Sequence, residues 1–103
     1  MAWFAIRSIY LFGQKSDGTN IFEERVVCFQ ADSASAAFAK AELESEQYAK
    51  DNDFDVFPER EAYEQDGDQL IDGYELWSVL LESRESLPDF HATRYTQYNY
   101  HPE

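Results

Sequence analysis

The chain has one cysteine, Cys28, so no disulfide can form within it. It has only 8 Lys and Arg against 21 Asp and Glu. That scarcity argues against nucleic acid as a direct ligand, because phosphate binding needs clustered cations. No apolar run approaches the roughly 20 residues that span a membrane. The opening MAWFAIRSIYLF carries Arg7 in its middle and lacks a basic start and a small-residue cleavage site. It does not read as a signal peptide, and a cytoplasmic protein without membrane contact is expected. Also missing are GxSxG, HExxH and any glycine loop that could cradle a phosphate. No motif names a reaction, and a protein without catalytic residues or cofactor is expected.

What is present describes a folded domain. The 103 residues are 44% hydrophobic and 17% aromatic, far too apolar for an acidic disordered tail despite a net charge of −13. One domain over 1–103 is expected, with about 97–103 a loose tail. The charge is uneven. Residues 1–30 and 91–103 are each neutral, residues 31–60 carry −5 and residues 61–90 carry −8. The stretch 59–77, EREAYEQDGDQLIDGYELW, holds seven acids and one base, Arg60. Such a surface attracts a basic partner, or serves only solubility.

Residues 3–12 are nearly all apolar, aromatic or β-branched and predict a strand. A polar loop, GQKSDGTN, leads to a second strand over 21–30. Asp32 or Ser33 can cap an alanine-rich helix that runs to Lys50. Ala34, Ala37, Phe38, Ala41, Ser45 and Tyr48 fall on one face of it. DND at 51–53 stops it. A third strand is expected over 54–65, bent or started late by Pro58. DGDQ at 66–69 signals a turn, and 70–81 predicts a strong fourth strand. Ser86-Leu87-Pro88-Asp89 matches a capping box with proline in the first turn, opening a short helix or turn over about 87–96. The expected class is α+β: a four-stranded antiparallel sheet, β-β-α-β-β, with one main amphipathic helix on one face.

A sheet covered on one side should alternate apolar and polar residues. The first strand does not. Phe4, Ile6, Tyr10 and Phe12 oppose Trp3, Ala5, Ile9 and Leu11. In the expected fourth strand Tyr74, Leu76 and Leu80 oppose Trp77, Val79 and Leu81. One helix cannot cover both faces. The second needs the C-terminal aromatics Phe90, Tyr95 and Tyr98, a second subunit or another partner.

Metal chemistry finds little footing. Asp51, Asp53 and Asp55 begin a calcium-loop pattern, but Val56 and Ala62 stand where it needs glycine and glutamate. Asp66 and Asp68 begin a second match that also fails. Cys28, His91 and His101 have no zinc spacing. Cys28, mid-strand among valine and phenylalanine, reads as a small buried hydrophobe rather than a nucleophile paired with His91. Tyr95, Tyr98, Tyr100 and His101 form a terminal aromatic cluster suited to core packing or an interface.

WFAIR at 3–7, FEERVVCFQADS at 22–33, EQYA at 46–49, DGYELWSVL at 72–80 and SLPDF at 86–90 resemble, in order, a family of small bacterial proteins. It is catalogued as domain of unknown function 4288 and brings no catalytic residues. Small acidic proteins of this look often serve as immunity proteins of polymorphic toxins. The resemblance implies a non-enzymatic inhibitor that covers the basic cleft of a cognate toxin domain of nuclease or nucleotide-transferring type. The residues expected to meet that partner are Asp53, Asp55, Glu61, Glu64, Asp66, Asp68 and Asp72, with Tyr95 and Tyr98. Alternatives are an acidic DNA mimic, a small ligand-binding domain, or a homodimer that seals the second sheet face. Because the calcium pattern fails at named positions, excess calcium is expected to leave the melting temperature unchanged. A clear rise would restore the metal reading.

Overall fold

The computed structural model describes residues 1–67 and 71–103. Strands β1 (Ala2–Gln14) and β2 (Asn20–Ala31) pair antiparallel, from Ala2 opposite Ala31 to Gln14 opposite Asn20. The loop between them is closed by Lys15 N–H to Thr19 O at 2.9 Å and Gly18 N–H to Lys15 O at 3.0 Å. Gly18 has φ +89°, a conformation that only glycine adopts without strain. Hydrogen bonds from Thr19 hold the Asp17 carboxyl below its ordinary pKa.

Helix α1 (Ala34–Asn52) begins where Ser33 Oγ accepts from Ala36 N–H at 3.1 Å. It ends where Asp53 turns left-handed, φ 59°. Its buried residues are Ala37, Ala41, Ser45 and Ala49. Small side chains there let the helix lie close to the sheet and leave Phe38 and Tyr48 to reach across its flanks.

Strands β3 (Asp55–Val56) and β4 (Glu61–Glu64) both pair antiparallel with β1, on the side away from β2. They are two halves of one interrupted strand. Phe57 N–H donates to Ile9 O at 2.9 Å, and pairing resumes with Glu61 opposite Arg7. Only Ser8 lies between Ile9 and Arg7, whereas Pro58, Glu59 and Arg60 lie opposite. Two residues are therefore extra and form a bulge. Pro58 has no N–H to give to a ladder, which is why the break falls there.

The sheet is four-stranded and antiparallel, with one main helix and a short C-terminal helix, as expected of the α+β class. The fourth strand is not where the sequence pattern puts it. Leu70 lies outside the described residues, and 71–81 hold no strand. The fourth strand arises instead because Pro58 divides the third. Helix α2 (Leu87–His91) starts at the expected cap, Ser86 Oγ accepting from Asp89 N–H at 3.3 Å, with Pro88 in the first turn. It runs on into a π-helical turn, Ala92–Thr96.

The core lies between α1 and one sheet face. Phe4, Ile6, Ala31, Ala37 and Ala41 form its centre, with Phe29 and Phe38 at its edge. Tyr10, 1% exposed, anchors an aromatic end to this core. Its ring meets Tyr48 at 5.0 Å and Phe54 at 6.4 Å, both edge-on. Polar bonds fix the helix over the sheet. Arg25 grips the Glu44 carboxylate with Nη1, and its guanidinium lies 3.8 Å from the centre of the Tyr48 ring. Tyr48 Oη donates to Glu23 at 2.8 Å. Arg60, from the bulge, donates to the buried Ser45 Oγ at 2.9 and 2.6 Å.

The molecule is wider than its length requires. Its radius of gyration is 16.2 Å, against about 13 Å for a compact chain of this size. The excess belongs to the part after β4, where no residue beyond Gln65 is buried among those described.

Tyr10→Ala removes the aromatic anchor and is expected to cost about 3–5 kcal/mol of stability in urea unfolding. Leu43→Ala, on the exposed side of α1, is expected to change it by less than about 0.5 kcal/mol. Similar losses for the two would contradict this placement of the core.

Candidate partner-binding surface

Directly opposed residues in a sheet share a face. On β1, Phe4, Ile6, Ser8 and Tyr10 therefore face the helix, and Trp3, Ala5, Arg7, Ile9 and Leu11 face away. The register places Asp55 and Glu61 on the far face, opposite Leu11 and Arg7, and Glu64 on the helix face, opposite Phe4. Asp53 is at the end of α1, Asp66 follows β4 and Asp72 precedes Gly73. Asp68 lies outside the described residues. The structure thus strings Asp53, Asp55, Glu61, Glu64 and Asp66 along one sheet edge and its ends. It does not gather them on one face.

These carboxylates differ in what holds them. Glu61 is bound to Arg7 at 2.6 Å, and Arg7 is also 3.9 Å from Glu24. Asp53, Asp55, Glu64, Asp66 and Asp72 are exposed, and their side chains make no hydrogen bond or ion pair among the described residues. Several cations that could neutralise them are engaged elsewhere. Arg25 holds Glu44, Arg60 holds Ser45 and Pro58 O, and Lys40 donates to Gln30 O at 2.5 Å. No three His, Cys, Asp or Glu side chains converge on a metal-sized point among the described residues.

The far face carries a cluster that composition alone does not announce. Trp77 lies with its ring centre 5.5 Å from the Arg7 guanidinium and 6.0 Å from the Tyr63 ring. Tyr63 Oη donates to the Glu75 carboxylate. Gln65 Nε2 donates to Leu76 O at 2.7 Å, and the Tyr74 hydroxyl meets the Gly67 backbone. Residues 74–77 are thereby fastened across the far face beside β4. Gln65 is 3% exposed, and its Oε1 has no partner among the described residues. The clue in the sequence was Arg7 itself. A cation in the middle of an apolar central strand needs carboxylate and aromatic partners on one face.

Beyond Trp77 the far face is incompletely covered. Leu80 is 97% exposed and Phe22 66% exposed, with Leu76, Val79 and Leu81 also in water. Ile9, Leu11, Phe22, Val56 and Phe57 line a shallow apolar depression of about 410 Å³. The C-terminal residues arch over the neighbouring surface without sealing it. Ser16 N–H and Oγ–H donate to Glu103 at 2.6 and 3.0 Å, and Lys15 lies 5.7 Å from the Tyr100 ring. Tyr95 and Tyr98 line the resulting cleft of about 760 Å³, apart from the free carboxylates. Both are exposed rather than folded into a core. Cys28, expected to be buried, is half-buried on this same open face.

No protein-family model, no curated protein and no solved structure matches this chain. No helix among the described residues is long and apolar enough to cross a membrane.

The hydrogen bond to Glu75, aided by desolvation, raises the Tyr63 hydroxyl from the ordinary 10.0 to about 12. A raised phenol stabilises the fold fully below pH 10, and that contribution is lost as pH rises towards 12. In a tyrosine Cζ NMR titration Tyr63 is expected to ionise near pH 12, and Glu75→Gln to return it towards 10. A Tyr63 resonance that titrates with the exposed tyrosines would contradict the bond.

Proposed function

We propose that this protein is a non-enzymatic acidic binding protein that neutralises a cognate bacterial toxin by covering its basic active-site cleft. One observation carries the reading: the exposed carboxylates of Asp53, Asp55, Glu64, Asp66 and Asp72 have no partner among the described residues, while Arg7, Arg25 and Arg60 are bound within the fold. The negative potential therefore projects outward along the interrupted third strand and the loop after it. A cleft that binds phosphate-rich substrates presents the complementary sign, which speeds encounter and fixes orientation. Inhibition is steric and electrostatic, and no proton or covalent bond need move. The toxin as partner rests on the motif resemblance, and the acidic surface supports a basic target of that kind.

The test uses a toxin domain encoded beside this protein in its native host. Co-expression is expected to protect cells from it. Neutralising Asp53, Asp55, Glu64 and Asp66 together, as Asn or Gln, is expected to slow association at least about tenfold at low salt and leave the melting temperature nearly unchanged. Lack of protection by the native protein, or a neutralised variant that associates as fast as the native one, would sink the proposal. Competition by duplex DNA for a cellular target would point to DNA mimicry instead.

A further inference from the structure

The segment 75–82 is the least explained part of the molecule. It has the composition of a strand, with LWSVLL uncharged between Glu75 and Glu82. It contributes no strand to the sheet, and Leu76, Val79, Leu80 and Leu81 are exposed. In a chain of net charge −13 this is the apolar gap in the acidic surface. A basic partner drawn by carboxylates finds none between Leu76 and Leu81.

We infer that this segment pairs antiparallel with the same segment of a second copy, making a two-fold homodimer. The sequence is self-complementary in one register. A two-fold axis through Val79 sets Trp77 opposite Leu81 of the second copy, and Val79 opposite its own counterpart. Three apolar side chains from each copy then meet only one another, and Glu75 at the end of the same face meets the uncharged Ser83. In that register no acid faces an acid across the pair, and Arg84 stands opposite Tyr74. Moving the axis to Leu80 would set Glu75 against Glu85, and moving it to Ser78 would set Glu75 against Leu81 in place of Ser83.

The fold leaves room for this pairing. Trp77 already lies over Arg7 and Tyr63 on the face away from the helix. Pairing through Trp77, Val79 and Leu81 would continue that cover across the open face. The contact is isologous, so it closes at two copies and does not propagate into a fibre.

Sedimentation equilibrium of the full chain is expected to show a monomer–dimer equilibrium. Val79→Pro removes a ladder N–H in a segment that has no ladder within its own chain, and is expected to weaken the dimer at least about 100-fold. Circular dichroism should report an unchanged fold. In a Cys28→Ser background, Val79→Cys is expected to form a disulfide-linked dimer on mild oxidation, and Leu87→Cys, exposed outside the segment, much more slowly. A monomer mass at every concentration would overturn the inference. So would a dimer untouched by Val79→Pro, or one in which Leu87→Cys cross-links as readily as Val79→Cys. Each readout concerns self-association alone and is independent of any toxin.

Discussion

One strand with two apolar faces and one helix to cover them is the constraint on which this structure turns. β1 pairs with every other strand. The helix takes the face carrying Phe4, Ile6 and Tyr10, using small residues for close approach and Tyr48 for the flank. The opposite face is left to whatever follows β4. Trp77 supplies a cover over Arg7 and Tyr63, and the C-terminal residues supply another, hung from Ser16 and Lys15. Between these covers Phe22 and Leu80 remain in water. Burial of apolar surface is the main force in folding. A domain that leaves such surface open keeps it available for association.

The third strand shows how one residue shapes both fold and surface. Pro58 interrupts pairing, the bulge adds two residues, and Arg60 is redirected to Ser45 of the helix. The carboxylates on either side are thrown onto both faces of a short, broken edge. Proline, bulge and charge all discourage strand addition there. The same features leave an acidic rim with few internal cations to neutralise it. An edge that resists another strand can still receive a basic surface, because charge attraction needs no ladder.

Much of this was legible in the sequence. The hairpin, the Ser33 cap, the stop at 51–53 and the Ser86 cap follow from local chemistry, and each appears in its place. The surplus apolar face was also legible, from the lack of alternation in β1. The fate of residues 70–81 was not. Apolar and β-branched composition reports a preference for extended backbone, and pairing depends on which edge is free and how long it is. The four-residue β4 offers little ladder, and Gln65 and Trp77 hold the segment across the face instead. The carboxylates were legible as types and not as an arrangement. Alternation along an interrupted strand sends Asp55 and Glu61 one way and Glu64 the other, and the position of the bulge cannot be counted from the sequence alone.

Amide hydrogen exchange tests most directly the claim that one chain does not seal its own sheet. In dilute protein the amides of 76–82 are expected to exchange orders of magnitude faster than those of residues 4–10. Protection of 76–82 equal to that of 4–10, unchanged on dilution, would contradict the account, because the segment would then be a core strand of the single chain.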